Sequence, residues 1–63
     1  MEYFIGQVFT KRTNYEIRKY RVVDIERAMG KIDIYLDRFT VDKEWPGFWV
    51  NVEEMAELGF VAE

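Results

Sequence analysis

The sequence predicts a mainly β protein, a β-rich α+β domain in which four or five short strands form a small, bent antiparallel sheet with a short C-terminal helix. Three observations predict this class. The chain has 63 residues, which suffice for one domain spanning 1–63 and leave no room for a second. Short runs of aromatic and β-branched residues are separated by turn signals. A run near the C-terminus carries the capping and stop residues of a short helix.

The first predicted strand covers Tyr3 to Thr10, YFIGQVFT, which is rich in aromatic and β-branched residues. Its apolar residues fall on both faces, as in a strand that is packed from two sides. Gly6 is expected to mark a bulge or a close approach of another backbone segment. The polar segment that follows, Lys11 to Asn14, predicts a turn or loop.

The second predicted strand covers Tyr15 to Ile25, YEIRKYRVVDI. Its alternation of apolar and polar residues slips near Arg21, and a bulge or bend would account for that slip. A helix over part of this segment is the rival interpretation. The consecutive β-branched residues Val22 and Val23 favour the strand.

The next segment, IERAMG at 25–30, predicts a loop or one helical turn, with Asp24 as its N-cap and Gly30 as its stop. Lys31 to Asp37, KIDIYLD, is the clearest strand, because apolar and polar residues alternate strictly along it. The alternating sets are Ile32, Ile34 and Leu36 on one face and Asp33, Tyr35 and Asp37 on the other.

Residues 39–47 predict an irregular segment that ends in the turn signal Pro46-Gly47. Alternation then resumes over Phe48 to Val52, which predicts a fourth strand. Phe48, Val50 and Val52 are expected on one face of this strand, and Trp49 and Asn51 on the other.

A short helix is predicted over Val52 to Leu58, because Asn51 can cap it, Glu54 completes a capping box and Gly59 ends it. Residues 60–61 either fold back onto this helix or form a short final strand. The strand order, the long loop and the helical turn before the last segment make a partly open SH3-like barrel one candidate architecture. No motif places the chain in a family.

The composition argues against catalysis. The chain contains no His, Cys or Ser, so the usual nucleophiles, the commonest general base, disulfides and the common zinc clusters are absent. The glycines are scattered and form no phosphate-binding loop. We therefore expect no enzyme activity, no cofactor and no metal.

Charge is divided unevenly along the chain, whose net charge is −3. Residues 1–31 carry seven basic and four acidic side chains, a net charge of +3, and residues 32–63 carry two and eight, a net charge of −6. Tyrosines interleaved with the basic residues suggest a barrel that stacks bases beside a basic groove. An acidic chain instead favours a solvent-facing strand, and its acidic half could also mimic nucleic acid. The alternative function is weak nucleic-acid binding by Lys11, Arg12, Tyr15, Arg18, Lys19, Tyr20 and Arg21.

The stretch EWPGFWVNVEEM, residues 44–55, holds both tryptophans and predicts the leading candidate surface. Alternation turns Trp49 outward, onto the face that carries Tyr35. Trp45 either covers the edge of the core or projects from its loop. Exposed aromatic residues beside charges are typical of interface anchors. The predicted protein-binding residues are Tyr35, Trp45 and Trp49.

The leading hypothesis is thus a small, non-catalytic accessory protein that binds a protein partner or itself. Eleven aromatic residues exceed what a domain of this size readily buries, which favours a homodimer as the form of self-association. No stretch is long and apolar enough to span a membrane, and no secretory signal is recognisable, so we expect a cytoplasmic protein. A short chain that begins with Met is typical of accessory regulators and of phage or mobile-element reading frames.

Overall fold

In a computed structural model that describes residues 2–63, the chain forms one open antiparallel sheet of five strands. The strands are β1 (Val8–Arg12), β2 (Ile17–Ala28), β3 (Lys31–Phe39), β4 (Phe48–Asn51) and β5 (Phe60–Ala62). Their order in the sheet is β4-β3-β2-β1-β5, so each strand lies beside the one that precedes it except β5, which returns to pair with β1. The mainly β class and the antiparallel sheet predicted from the sequence are confirmed.

The first strand starts later than predicted, at Val8 instead of within the run Tyr3 to Thr10. Residues 4–7 form a turn instead. Gly6 has a φ of +90°, which only glycine adopts without strain, and its N–H donates a hydrogen bond to the Val22 carbonyl over 2.8 Å. The bulge or close backbone approach predicted at Gly6 is wrong: a Cβ at this position would meet no atom within 4 Å, and the turn requires glycine because of its positive φ.

The predicted loop at Lys11 to Asn14 is displaced along the chain. Lys11 and Arg12 belong to β1, and the loop runs from Thr13 to Glu16. The Thr13 N–H donates to the Glu16 carbonyl over 2.8 Å, and the Glu16 N–H donates to the Thr13 hydroxyl over 3.1 Å. A threonine at the start of a tight loop satisfies its backbone groups in this way, which explains where β1 ends.

Strand β2 continues past its predicted end at Ile25. The bulge that the slip in alternation predicted is present, because the register with β3 shifts between Val22 and Asp24 and leaves Val23 without a partner. Asp24 lies within the strand and not at a helix N-terminus. Its carboxylate accepts a hydrogen bond from the Ile25 N–H over 2.8 Å.

The loop or helical turn predicted at 25–30 is wrong. Strands β2 and β3 form a hairpin in which Ala28 pairs with Lys31, so only Met29 and Gly30 connect them. Their φ values of +53° and +76° are those of a type I′ turn, whose twist matches that of the flanking strands. Met29 occupies a conformation that favours Asn or Gly, so its residue type gave no turn signal.

The two later strands agree with their predicted alternation. Strand β3 starts at Lys31 as predicted and extends to Phe39, and β4 starts at Phe48 and ends at Asn51. The connecting segment is anchored by a single bridge between Phe39 and Glu44.

The predicted helix over Val52 to Leu58 is not present. The chain forms a single turn of 3-10 helix, Val52–Glu54, followed by turns up to residue 59. The predicted cap is correct, since the Asn51 side chain accepts a hydrogen bond from the Glu53 N–H over 2.9 Å.

Pairing with β1 accounts for the early end of this helical turn. Gly59 has a φ of +90°, and directly after it Phe60 enters β5 opposite Lys11. The Phe60 ring is buried in the core. Sheet pairing and burial outweigh the weak helical preference of so short a segment. Of the two alternatives for residues 60–61, the final strand is therefore the one that forms.

The core lies on one face of the sheet, called here the inner face. Alternate residues of the strands point into it, and Met55 closes it from the turn after β4. Each fully buried aliphatic side chain contributes roughly 1.5–3 kcal/mol by leaving water. The buried side chains are Phe9, Tyr20, Val22, Ile34, Leu36, Val50, Met55 and Phe60.

Candidate protein-binding face

The opposite side of the sheet, the outer face, carries the exposed tryptophan. On β4, Val50 is buried and its neighbour Trp49 is 48% exposed, as period-two alternation predicts. The register pairs Trp49 with Tyr35 on β3, and Tyr35 in turn with Asp24 on β2. Because partners in an antiparallel pair point to the same side, these three residues form one row across the outer face.

Tyr35 and Trp49, called here the aromatic pair, contact each other edge to face. Their ring centroids are 5.3 Å apart and the planes meet at 70°, a geometry that aromatic rings prefer. The backbone of Gly47 lies against the Tyr35 ring so closely that a Cβ there would collide with the ring and with the Leu36 carbonyl. The tyrosine is therefore half-buried and held in place, while the indole remains open to a partner.

Trp45 lies apart from the aromatic pair. In the bridge between Phe39 and Glu44, the Glu44 side chain points to the outer face, where its carboxylate meets Arg21 at 2.6 Å. The next residue in an extended chain points to the other side. Trp45 accordingly packs its ring against the Arg38 guanidinium, 4.3 Å from the ring centroid. The structure thus brings together two of the three predicted binding residues and separates the third.

Carboxylates surround the aromatic pair without matching cations. Asp24 lies across from Tyr35, and Glu26 pairs with Asp33 one row further along the outer face. Within residues 2–63, none of these three carboxylates has a cationic nitrogen within 4.0 Å. The Asn51 amide donates to Asp33 over 3.1 Å, which orients this carboxylate without neutralising it. The rim of the aromatic pair is consequently negative. Alternation along β3 predicted that Asp33 shares a face with Tyr35, whereas the register between β2 and β3 adds Asp24 and Glu26.

Arg21, on the same face, is already engaged. Its guanidinium contacts Glu44 at 2.6 Å and Asp37 at 3.4 Å, and it lies over the Phe39 ring at 4.8 Å from the centroid. The hydrogen bonds that Arg21 donates to Glu44 and then to Asp37 raise the pKa of Arg21. This ion-pair cluster borders the acidic rim but leaves it uncompensated.

The residues predicted for nucleic-acid binding do not form one open basic groove. Tyr20 is only 6% exposed and packs edge to face against Phe60, with centroids 5.1 Å apart, so its ring is not available for base stacking. Lys19 meets the Glu63 carboxylate at 3.4 Å. Tyr15, by contrast, is almost fully exposed on the loop after β1. Among the remaining predicted residues, the Lys11 ammonium lies 5.2 Å from the Phe60 ring centroid, and Arg12 is exposed. Arg18 and Arg21 are both in ion pairs.

Across residues 2–63, no group of three or more acidic side chains comes together in a way that could hold a metal ion. No helix in this part of the chain is long and apolar enough to cross a bilayer.

In comparisons with protein-family models, with curated proteins and with solved structures, no significant match to this chain was found. The geometry of the chain's own residues therefore carries the functional argument.

Proposed function

We propose that this protein is a small, non-catalytic interaction protein that binds a protein partner through the aromatic pair on its outer face. The observation that supports this most is Trp49, whose indole is left half exposed on β4 although it contacts the ring of Tyr35. Interfaces concentrate their binding energy in such aromatic anchors. Tyr35 fixes the position of the indole before a partner arrives, which reduces the ordering cost of binding.

The charge around the pair supports a partner with basic side chains. Asp24, Glu26 and Asp33 lie beside the aromatic rings without cationic partners of their own. Basic side chains of a partner can stack on the exposed indole and meet the neighbouring carboxylates. Complementary charge of this kind speeds association and selects between partners more than it adds affinity.

For the architecture, we propose a partly open SH3-like barrel. The order β4-β3-β2-β1-β5 and the 3-10 turn between β4 and β5 support it. So does the bulge at Val23, where a bend in β2 would let one strand serve two halves of a small barrel.

The test is capture of partners from extracts of the source cells on immobilised wild-type protein, followed by calorimetry with each purified partner. We expect Trp49→Ala to lower the affinity for a partner that binds this face at least about tenfold, as truncation of a central aromatic anchor does. Val61→Ala, an exposed apolar residue on β5 far from the pair, is the matched control. If no captured partner loses affinity in Trp49→Ala or in Tyr35→Ala, the proposal for this face is wrong.

Two other outcomes can be measured on the same samples. Sedimentation equilibrium that shows a dimer, lost in Trp49→Ala, would make a second copy of the chain the partner. Nucleic-acid binding has less support, because Tyr20 is buried and Arg18, Lys19 and Arg21 each meet a carboxylate. Tight, salt-sensitive binding of single- or double-stranded probes in a gel-shift assay would nevertheless favour it.

A further inference from the structure

A second candidate site lies away from the aromatic pair, at the end of the sheet where β3 turns away from β2. Pairing between these strands ends at Lys19 and Phe39, so the first two residues of β2 have no neighbour on that side. A cleft of about 340 Å³ opens there. Its lining residues are Glu16, Ile17, Arg18, Lys19, Arg38, Phe39, Thr40 and Val41.

The cleft contains a carboxylate-binding position that the chain fills with its own Glu16. One oxygen, Glu16 Oε1, accepts hydrogen bonds from Arg18 Nε and from Arg38 Nη2, both over 2.9 Å. Stacking on the Trp45 ring holds the Arg38 guanidinium in place. Two guanidinium groups converging on one oxygen form an anion site of defined geometry.

The donors of this position exceed its acceptors. Within the described residues, Arg38 Nε is buried and has no hydrogen-bond partner. This donor lost its hydrogen bonds to water on folding, and no other hydrogen bond replaces them. Lys19 adds a third cation to the wall of the cleft, where it also meets Glu63 at 3.4 Å, and Glu16 is the only carboxylate among the lining residues. Three cations therefore face two carboxylates. An incoming acid would therefore meet a positive local charge in an otherwise acidic chain.

Glu16 can leave this position without disrupting its loop. Its side chain is 46% exposed. The loop is held by Thr13, whose hydroxyl and N–H contact the backbone of Glu16 and not its carboxylate. Only the two side-chain ion pairs oppose release, and exposed ion pairs are weak.

We propose that this cleft binds a peptide segment of a partner protein that carries a carboxylate between apolar side chains, and that this carboxylate replaces Glu16 between Arg18 and Arg38. The apolar neighbours of the ligand carboxylate would contact Ile17, Phe39 and Val41, which line the same cleft. The position already accepts a carboxylate oxygen, and the net charge of −3 disfavours a polyanion. This site is independent of the aromatic pair, so either can fail without the other.

The probe is the peptide Ac-GVEVG-NH2, with Ac-GVQVG-NH2 as its neutral counterpart, titrated by NMR into the full-length protein at millimolar concentrations. We expect the acidic peptide, and not the neutral one, to shift the backbone signals of Ile17, Arg18 and residues 38–41. Removing the internal competitor in Glu16→Gln should tighten binding about two- to fivefold, the range expected for release of an exposed ion pair. The matched control is Glu57→Gln, an exposed acid outside the cleft, which should leave binding unchanged.

Arg38→Gln should weaken binding at least about tenfold, since it removes donors to a charged acceptor. If that variant does not fold, Arg18→Gln tests the other donor in the same way. Equal binding of the two peptides, no binding in the millimolar range, or an unchanged affinity in Glu16→Gln would each overturn the proposal. The proposal would also be wrong if inorganic phosphate or an oligonucleotide bound more tightly than the acidic peptide and shifted the same backbone signals, because the cleft would then select phosphate.

Discussion

Tyr35 and Trp49 contact each other across β3 and β4 on the side of the sheet that points away from the core, with ring centroids 5.3 Å apart. The tyrosine is held between the indole and the backbone of Gly47. One ring of the pair therefore supports the sheet, while the other remains half exposed. This division of roles leads to separate expectations for stability and for binding.

Trp49→Ala should lower the free energy of unfolding by about 0.5–1.5 kcal/mol for the lost edge-to-face contact, plus a part for the half of the indole that is buried. Leu36→Ala, in the fully buried core, should cost roughly 2–5 kcal/mol and could leave the chain unfolded. Urea unfolding followed by circular dichroism measures both variants. A loss at Trp49 as large as the loss at Leu36 would show that the indole belongs to the core and would remove it from the proposed interface.

Gly47→Ala should destabilise the protein by roughly 1–3 kcal/mol, the usual range for overpacking. The added methyl group would collide with the Leu36 carbonyl and the Tyr35 ring, so the loop before β4 must move. The same urea titration gives the free energy, and near-ultraviolet circular dichroism reports the surroundings of the Tyr35 ring. Glu57→Ala is the control and should change the free energy by less than about 0.5 kcal/mol. Equal stability of the Gly47 variant and wild type would contradict the tight approach at this position.

Met29→Asn should stabilise the protein by about 0.5–1 kcal/mol, because Asn adopts a positive φ at lower cost than Met. Met29 has a φ of +53° in the two-residue turn between β2 and β3 and is 98% exposed, so its side chain contributes no packing. Asn tolerates this conformation better, and Asn-Gly is the preferred pair in a type I′ turn. A thermal melt compares it with Met29→Ala, which removes the side chain without that preference and should give no gain. A gain in both variants would assign the effect to loss of the exposed methionine and not to the turn.

The ion pairs of Glu16 should make stability depend on pH in the acid range. The hydrogen bond from Arg18, together with Arg38, holds the pKa of the Glu16 carboxyl below its ordinary value of 4.5. A carboxyl whose pKa is lower in the folded state stabilises the protein above its unfolded pKa and loses this contribution as pH falls through the folded pKa. Wild type should therefore be more stable than Glu16→Gln at neutral pH, and the difference should shrink below pH 4.5.

Denaturant midpoints of the two proteins across this pH range measure the effect, and carbon-detected NMR of the carboxyl gives its pKa directly. A stability difference that stays constant from neutral pH to about pH 2 would show that protonation of Glu16 does not weaken these contacts.

Several features were predictable because they depend on local spacing alone. The alternation over Lys31 to Asp37 places Ile34 and Leu36 in the core, and the same rule turns Trp49 outward. The cap at Asn51 and the slip in alternation along β2 are likewise visible in short windows. In each case the signal lies within a few neighbouring residues.

Other features required contacts between distant segments. The helix expected after Val52 is cut short because Phe60 pairs with β1, a contact between residues far apart in the chain. Tyr20 resembles a surface tyrosine among basic residues, yet β2 turns it into the core. One local feature was also missed: the type I′ turn at Met29 was not predicted, because methionine carries no turn preference.

By itself, the sequence determined the mainly β class, the antiparallel sheet and the outward indole. Only the tertiary structure decided which side of the sheet Trp45 takes, which carboxylates surround Tyr35 and Trp49, and that Glu16 fills the position between Arg18 and Arg38. The physical reason is that alternation assigns a face within one strand, whereas register, bulges and bridges decide which residues of different strands meet on that face.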